Sequence, residues 1–330
     1  MKYQKKILIT GGAGFIGSHL VKYFVHNYPN FHITNIDSLT YASNYEFINE
    51  LENIKNYNFL KIDINNFKDL DALFKKNNFD SIIHLAAESH VDNSIENPTI
   101  FAKTNILGTL NLLNLSIKYW TDLTEKVFYH ISTDEVYGAL GDDGYFTEST
   151  SYDPRSPYSA SKASSDHFVR AFYHTFRLPI KISNCSNNFG PNQNKEKLIP
   201  VVINSILNKD PIPIYGSGKN VRDWLYVKDH VYAIDQIFNH GKIGETYNIG
   251  GGNELSNIDL INIIISKMDI MLNRDQDFSK SLIKFVEDRK GHDFRYAIDY
   301  SKISKQLNWR PKYSFENAIE DTIKWYLNKS

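Results

Sequence analysis

The chain has 330 residues, of which 42% are hydrophobic and 23% are charged, a composition typical of a globular protein with a substantial core. Its 37 Lys and Arg residues nearly balance its 38 Asp and Glu residues, so the net charge of -1 excludes a general attraction to nucleic acid or to anionic membranes. A single cysteine, Cys185, excludes an intrachain disulfide, and the first apolar run, Ile7–Ile9, is too short for a signal peptide or a membrane span, so we expect a cytoplasmic protein.

A glycine-rich loop follows the first apolar strand directly. Gly12, Gly14 and Gly17 fit the fingerprint of dinucleotide-binding loops, and Gly11, Gly14 and Gly17 fit a slightly different spacing of it. Apolar residues at positions 16, 20, 23 and 24 share one face of the helix that should come next. Residues without Cβ let the backbone approach a pyrophosphate, whose charge is then met by the N–H groups at the start of that helix.

The second predicted strand, His32–Ile36, ends at Asp37, at the usual distance from a dinucleotide fingerprint for an acidic residue. A carboxylate there accepts hydrogen bonds from both ribose hydroxyls of an adenosine and repels a 2′-phosphate. We therefore predict NAD rather than NADP as the dinucleotide. The alternative is an ordinary loop aspartate.

Strands and helices continue to alternate along the chain. Phe59–Asp63 and Ser81–Leu85 have the composition of strands, and a helical pattern lies between them. This alternation predicts an α/β fold with a Rossmann-type, doubly wound parallel sheet. The small residues Ala86 and Ala87 at the end of the latter strand leave room for a nicotinamide ribose. The nearby His84 and His90 fit hydrogen-bonded structural roles better than catalytic ones.

A pair of adjacent carboxylates stands at the end of another predicted strand. The apolar run from Val127 leads through Thr133 to Asp134 and Glu135. Ligands of open parallel sheets bind beyond the carboxyl ends of the strands, so these side chains are expected to face a binding site. The alternative is a solvated turn.

The segment that begins at Pro157 predicts a helix that carries Tyr158 and Lys162 four residues apart, on one face. An ammonium beside a phenol stabilises the phenolate, so we expect Lys162 to lower the pKa of Tyr158. Such a pair can take the proton of a hydroxyl while a hydride leaves the adjacent carbon.

Together these motifs resemble the extended short-chain dehydrogenase/reductase superfamily and, within it, the dTDP-glucose 4,6-dehydratase family. The similar segments are spread over most of the chain and comprise the glycine loop, Tyr158 with Lys162, Leu85–Asp92, Ser132–Gly138, Asn187–Pro191, Val221–Val227 and Asp288–Tyr296. Two residues depart from the family pattern. Asn93 stands where the family has arginine, and Phe189 stands where it has tyrosine.

The resemblance implies two lobes. Residues 1–190 are expected to form an NAD-binding domain, to which about 221–250 return. Residues 191–220 and 251–330 are expected to form a smaller, mainly C-terminal α/β lobe that binds the nucleotide sugar. A homodimer is expected to pair through the helices that start near Pro98 and Pro157. No metal and no nucleic-acid or membrane partner is implied.

The family reaction converts dTDP-glucose to its 4-keto-6-deoxy product. By resemblance, Tyr158, held by Lys162, takes the proton of the carbon 4 hydroxyl, and Thr133 hydrogen-bonds it. Glu135 then acts as the base at carbon 5, and Asp134 acts as the acid for the hydroxyl leaving carbon 6. Because the two carboxyl groups need opposite protonation states, we expect a raised pKa for Asp134 in the complex with substrate.

The resemblance also assigns binding residues. Those expected to contact NAD are Gly11, Gly12, Gly14, Phe15, Ile16, Gly17, Asp37, Ser38, Leu39, Thr40, Asp63, Ile64, Leu85, Ala86, Ala87, Ser89, Thr104, Tyr158, Lys162 and Asn188. Those expected to contact the substrate are Ser89, Thr133, Asn187, Lys197, Leu198, Pro213, Tyr215, Arg222, Asn257, Asp288, Arg289 and His292. Among these, Arg222 and His292 are expected to meet the diphosphate. The alternative for Arg222 is a salt bridge with Asp223.

Three other functions stay open at this stage. A 4,6-dehydratase for UDP-glucose differs in its substrate by one methyl group, which a pocket distinguishes by only ~1–3 kcal/mol. A nucleotide-sugar 4-epimerase would share the Tyr158 and Lys162 pair, although epimerases that resemble this chain otherwise lack the acidic pair. A non-catalytic NAD-binding regulator is disfavoured by the intact tyrosine and lysine.

Overall fold

The computed structural model describes residues 3–276, 278–288 and 291–329. Arg289, an expected substrate contact, lies outside the described residues. The strands are β1 (Lys5–Thr10), β2 (Phe31–Asp37), β3 (Tyr57–Lys61), β4 (Ser81–His84), β5 (Val127–Thr133), β6 (Ile180–Cys185), β7 (Asn187–Phe189), β8 (Ile212–Tyr215), β9 (Val221–Tyr226), β10 (Thr246–Ile249), β11 (Glu254–Ser256) and β12 (Ile283–Val286).

Seven of these strands form one parallel sheet in the order β10-β6-β5-β4-β1-β2-β3. The order reverses between β1 and β4, and the crevice at such a reversal is where open α/β sheets bind ligands. The predicted Rossmann-type parallel sheet is confirmed.

The central strands β4, β5 and β6 are buried along their whole length, whereas the edge strand β3 is only partly buried. In β1, Ile7 and Ile9 pack on one side of the sheet and Leu8 packs on the other. This alternation follows from the two-residue period of a strand. Helices cover both sides, as expected for parallel strands joined by helical crossovers.

The helices are α1 (Phe15–Asn27), α2 (Phe67–Lys76), α3 (Val91–Glu96), α4 (Pro98–Phe101), α5 (Thr109–Tyr119), α6 (Pro157–Phe176), α7 (Leu198–Asn208), α8 (Val227–His240), α9 (Asn257–Met271), α10 (Ser301–Leu307) and α11 (Phe315–Leu327). α6 starts with a complete capping box. The hydroxyl of Ser156 accepts from the N–H of Ser159, and the hydroxyl of Ser159 accepts from the N–H of Ser156. Pro157 fills the first helical position, where no N–H is needed.

The long helix predicted from Pro98 contains a wider segment. Between α4 and α5, residues Ala102–Gly108 are π-helical, so the helix carries one loose turn in its middle. Such turns are rare and concentrate at functional sites. The apolar periodicity predicted the helix correctly but gave no sign of this turn, because the surrounding apolar positions keep their spacing.

A second, smaller core lies beside the main sheet. It is formed by α7, α9 and α11 together with two small sheets, β11-β9-β7 and β12-β8. Along β9, Trp224 and Tyr226 pack into this smaller core, whereas Leu225 packs into the larger one. One strand thus joins the two lobes.

The chain crosses between the lobes more than once. α8 packs on the main sheet, against β6 and β10. α10 also belongs there, because Ile303 and Trp309 are fully buried in the larger core. The segment 251–330 therefore contributes to both lobes. Within the described residues no helix is long and apolar enough to cross a membrane.

Candidate active site

A cavity of about 530 Å³ opens at the carboxyl edge of the main sheet. Its walls come from the ends of six neighbouring strands, because parallel strands all end on the same side. The predicted residues that line it are Gly11, Gly14, Phe15, Ile16, Gly17, Asp37, Ser38, Thr40, Asp63, Ile64, Leu85, Ala86, Ala87, Ser89, Thr104, Thr133, Asp134, Glu135, Tyr158, Lys162, Asn187, Asn188 and Lys197.

The glycine loop connects β1 to α1 at the floor of the cavity. Gly11 has a φ of +74°, and a Cβ there would lie 2.6 Å from the backbone nitrogen of Ala86. α1 starts at Gly14 without a side-chain cap, so its first N–H groups are left for an anion. The geometry fits the pyrophosphate of a dinucleotide.

Two of the expected NAD contacts, Gly12 and Leu39, do not line the cavity. Gly12 packs against the Asn35 side chain, where a Cβ would lie 2.1 Å from Oδ1. Of the two glycine spacings, the one that starts at Gly11 therefore faces the ligand. Leu39 turns away because its side chain packs against the larger core.

Asp37 is a fixed acceptor at the end of β2. Its carboxylate accepts from the N–H of Ala13 at 3.0 Å, from the N–H of Leu39 at 2.8 Å and from the hydroxyl of Ser43 at 2.8 Å. A carboxylate offers about four acceptor positions, so capacity remains for a ribose hydroxyl. The side chain therefore suits an unmodified ribose.

The acidic pair occupies a short 3₁₀ turn that continues β5 into the cavity. Asp134 is only 1% exposed. The hydroxyl of Thr133 lies 3.4 Å from Asp134 Oδ1 and accepts from the N–H of Glu135. Burial, followed by the negative charges of Glu135 and Asp223, raises the pKa of Asp134 well above its usual range. In the protein without a ligand, the shift has the direction predicted for the complex, and this direction favours the protonated form that an acid needs.

Tyr158 and Lys162 are both buried and face the same cavity. The ammonium of Lys162 donates to the carbonyl oxygen of Ile131 at 2.8 Å. Burial and the charge of Glu135 raise the pKa of Tyr158 well above its usual value, although a hydrogen bond with Thr133 acts in the opposite direction. The expectation that Lys162 alone lowers this pKa is therefore wrong for the protein without a ligand, because desolvation of the phenolate outweighs the nearby charge.

The two histidines near the cavity have structural roles, as predicted. His84 bridges Thr10 and Thr109 through its two ring nitrogens at 2.7 and 2.9 Å. Thr109 donates its own hydrogen to a carbonyl, so Nε2 of His84 is the donor to it. His90 accepts from the N–H of Asn93 at the start of α3.

The π-helical segment provides part of the cavity wall. Lys103 and Thr104 line the cavity. The side chain of Asn105 accepts from the N–H of Glu88 and donates to the Glu88 carbonyl and to the hydroxyl of Ser161. The segment thereby fixes the loop after β4 against the start of α6.

Several residues expected at the nucleotide do not line the cavity. They are Leu198, Pro213, Tyr215, Arg222, Asn257, Asp288 and His292. Most gather around the β8–β12 pair. Tyr215 pairs with Val286, and a Cβ at Gly216 would touch Asp288. His292 Nδ1 lies 2.7 Å from Asp288 Oδ1.

Arg222 is buried and packs its guanidinium on the ring of Tyr296, 4.3 Å from the centroid. It donates to the carbonyl oxygens of Val221, Asp293 and Phe294. The alternative of a salt bridge with Asp223 is contradicted, because the Asp223 carboxylate accepts from backbone N–H groups in the 251–253 loop.

The two departures from the family pattern lie away from the reacting groups. Asn93 donates to the hydroxyl of Tyr41 at 3.1 Å. Phe189 is buried among Trp224, Tyr226 and Phe315 in the smaller core. A missing hydroxyl at 189 is therefore absorbed by aromatic packing.

Sequence patterns do not predict several residues that line the cavity. In loops these are Ser43, Glu88, Gln193, Asn194 and Glu196, and in the π-helical segment Lys103. The only signal was proximity to predicted strand ends, which does not indicate where a loop turns. Among the described residues no group of His, Cys, Asp and Glu side chains is arranged to hold a metal ion.

Comparisons with known proteins agree with this site. The family model described as GDP-mannose 4,6 dehydratase matches residues 8–322. The chain is 49% identical over 327 residues to a probable dTDP-glucose 4,6-dehydratase of Sinorhizobium fredii, covering 98% of this chain and 93% of that protein. It is 48% identical over 336 residues to the dTDP-glucose 4,6-dehydratase of Salmonella typhimurium, covering 98% and 92%. It also resembles the solved structure of a dTDP-glucose 4,6-dehydratase of Streptomyces venezuelae with NAD and TYD bound, at 40% identity, a TM-score of 0.90 and coverage of 98% and 97%.

Proposed function

The chain belongs to the GDP-mannose 4,6 dehydratase family, and we propose that it acts as a dTDP-glucose 4,6-dehydratase with NAD as its cofactor. One observation carries the proposal. The acidic pair Asp134 and Glu135, the base Tyr158 and the glycine loop all line a single cavity. An oxidoreductase that only moved a hydride at carbon 4 would not need two more carboxyl groups there.

The order of events follows from the acidity of the sugar. The proton on carbon 5 is removed easily only once carbon 4 is a ketone, so oxidation comes first. Tyr158 takes the proton of the carbon 4 hydroxyl, and Thr133 hydrogen-bonds the same oxygen. NAD, when bound in this cavity, would supply the hydride acceptor for carbon 4 and the hydride donor for carbon 6.

The elimination then uses the acidic pair. Glu135 removes the carbon 5 proton, and Asp134 donates its proton to the hydroxyl that leaves carbon 6 as water. When hydride is added to carbon 6 of the resulting double bond, the protonated Glu135 returns a proton to carbon 5. Burial supports the second role, because it raises the pKa of Asp134 and so favours the protonated form. Each well-placed acid or base contributes on the order of 10²–10⁴ in rate.

The site fits NAD. The uncapped start of α1 suits the pyrophosphate, Asp37 suits the adenosine ribose, and the positive nicotinamide would lie near Tyr158. That positive charge, together with Lys162, opposes the effect of burial on the pKa of Tyr158. We expect the phenolate to form in the protein loaded with NAD rather than in the empty one.

We further propose that the lobes divide the binding work. The larger lobe holds NAD, and the residues around β8 and β12 in the smaller lobe contact the nucleotide. The related structure of Streptomyces venezuelae has both NAD and TYD bound. The single buried cysteine supports a cytoplasmic location, where thiols stay reduced.

We also propose a homodimer. α6 and the helix that contains the π-helical segment lie side by side and expose Leu107, Phe168 and Phe176. Exposed apolar side chains on neighbouring helices are typical of a subunit interface. Replacing Leu107 and Phe168 by lysine should convert the dimer to a monomer in analytical ultracentrifugation, and an unchanged mass would contradict this surface.

The activity is tested by incubating the purified protein with dTDP-glucose and analysing the product by mass. The proposal predicts loss of one water without net consumption of NAD. Recovery of unchanged sugar, or of an epimer of the same mass, would contradict it. UDP-glucose in competition determines the base preference, since a methyl contact is worth ~1–3 kcal/mol.

A further inference from the structure

The inner face of α6 carries four polar residues spaced one turn apart. They are Tyr158, Lys162, Asp166 and Arg170. Residues at this spacing lie on the same face of a helix. The first two line the cavity, whereas Asp166 does not and has no role in the proposed reaction. The burial of a carboxylate without a catalytic role requires an explanation.

Asp166 is fully buried and hydrogen-bonded by side chains. Oδ2 accepts from the hydroxyls of Ser132 at 2.9 Å and Tyr152 at 2.8 Å. Nε2 of His130 lies 3.1 Å from Oδ1, and burial lowers the pKa of His130 to about 4, which favours the neutral ring. Burial acts to raise the pKa of Asp166, but interaction with His130, and after it the charge of Lys162, lower this pKa overall. An ionised carboxylate in a core is costly without a cation nearby.

Lys162 presents the complementary problem one turn away. Its ammonium is buried, and its hydrogen bond to the Ile131 carbonyl supplies no negative charge. Burial lowers the pKa of Lys162, and the strongest opposing influence is the charge of Asp166. The two groups form no direct ion pair, but they lie one turn apart on the buried face of α6. Their polar ends reach consecutive residues of β5, because Lys162 donates to the carbonyl of Ile131 and Asp166 accepts from the hydroxyl of Ser132.

We propose that Asp166 is the buried counterion of Lys162 and acts as a positioning residue that keeps this lysine charged beside Tyr158. The inference deepens the proposed function and rests on it, because the charge of Lys162 matters to the reaction only if Tyr158 is the base. His130 is the main hydrogen-bonding partner that keeps the carboxylate ionised, whereas the hydrogen bond from Tyr152 has a smaller influence.

The other groups that face this row leave Asp166 as the counterion of Lys162. Arg170, one turn further along, donates to Tyr152 and Thr246, and its guanidinium lies 4.9 Å from the Tyr152 ring centroid. The remaining titratable neighbours on the packed elements are His84 on β4, His130 on β5, Cys185 on β6, Tyr137 and Tyr152 from loops, and Asp134 and Glu135 beyond Tyr158.

The test replaces Asp166 by asparagine in the NAD-loaded protein. Ionisation of Tyr158 is followed by tyrosinate absorbance, as the difference between each protein and the same protein with Tyr158→Phe. Asp166→Asn should move the midpoint upward by at least about one pH unit, which corresponds to a roughly tenfold loss of phenolate at neutral pH. The acid limb of dTDP-glucose turnover should move with it, while KM changes less than about threefold.

Tyr152→Phe is the matched control. It removes one hydrogen bond to the same carboxylate but leaves the charge, so neither the tyrosinate midpoint nor the acid limb should move. The proposal is overturned if Asp166→Asn leaves the midpoint in place, or if Tyr152→Phe moves it equally far.

A thermal double-mutant cycle tests the pair without any substrate. Lys162→Met should leave Asp166 as an uncompensated buried charge, so Lys162→Met combined with Asp166→Asn should melt at a higher temperature than Lys162→Met alone. Additive losses would overturn the pairing. Failure of the wild-type protein to convert dTDP-glucose would count against the proposed function and leave this cycle unaffected.

Discussion

The two sides of the binding region differ in how fully the protein alone assembles them. On the side of the main sheet, nearly all the residues expected at NAD and at the reacting carbons line one cavity. On the side of the smaller lobe, Tyr215, Asn257 and His292 lie around β8 and β12 instead. The first side is built from the ends of hydrogen-bonded strands, whose relative positions are fixed. The second is built from a separate lobe and its loops, so its distance from the sheet depends on how the lobes meet.

The largest effect is expected on the sheet side, at Glu135. Glu135→Gln keeps the shape but removes the base for carbon 5, so turnover should fall by on the order of 10²–10⁴. The first oxidation does not need this base. In stopped-flow absorbance at 340 nm we therefore expect NADH to appear and persist. Loss of the NADH signal together with turnover would show that Glu135 acts before the elimination.

A smaller but still large effect is expected at the glycine loop. Gly11→Ala places a Cβ 2.6 Å from the backbone of Ala86 at a φ of +74°. We expect NAD to bind at least about tenfold more weakly and the fold to lose ~1–3 kcal/mol. Fluorescence titration with NAD and thermal melting would measure these losses.

Gly144→Ala is the control for Gly11→Ala. Gly144 has a φ of +90°, and a Cβ there would meet nothing within 4 Å. The variant shares the backbone strain but lacks the clash, so it should keep its affinity for NAD. Equal weakening of NAD binding in both variants would mean that strain alone, rather than close approach at the switch point, explains the effect.

On the smaller lobe, Tyr215→Ala tests whether this side meets the nucleotide. Tyr215 is 41% exposed at the end of β8. We expect KM for dTDP-glucose to rise up to about tenfold with little change in kcat, because the contact would stabilise substrate and transition state equally. Tyr145→Ala, at another exposed tyrosine, should change neither constant. Unchanged KM in both variants would remove Tyr215 from the nucleotide site.

The smallest effect expected is a pH-dependent difference in stability at Asp134. Burial raises the pKa of Asp134 in the folded chain, so the folded state holds this proton more tightly than the unfolded state does. This contribution to stability is complete below the unfolded pKa and is lost as the pH rises through the folded pKa. The melting temperature of Asp134→Asn minus that of the wild type should therefore become more positive as the pH rises.

Asp122→Asn is the control, because its melting temperature relative to the wild type should change with pH in the opposite direction. The N–H of Thr124 donates to Asp122 and lowers its pKa, so this carboxylate contributes stability that is lost as the pH falls. A gap between Asp134→Asn and wild type that stays constant across pH would contradict the raised pKa of Asp134.

The contrast between the two sides also explains what the sequence could predict. Strand ends such as Asp37 and Thr133 were predicted because a parallel sheet aligns them at one edge. The loop residues Ser43 and Gln193 were not, since a loop's path depends on contacts such as those between Asn44 and Asn192. The π-helical turn that presents Thr104 left no trace in the apolar spacing. The pKa of Tyr158 was predicted in the wrong direction because sequence spacing reports the neighbouring charge but not the depth of burial.

The most direct test of the account follows one hydrogen atom. The protein, with its bound NAD and no added cofactor, is given dTDP-glucose that carries deuterium on carbon 4, and the product is examined by NMR. If one cavity performs the oxidation, the elimination and the return of hydride, deuterium should appear on carbon 6 of the 4-keto product. Deuterium that is lost to the solvent, or that remains on carbon 4 of a hexose that keeps its carbon 6 hydroxyl, would contradict the account.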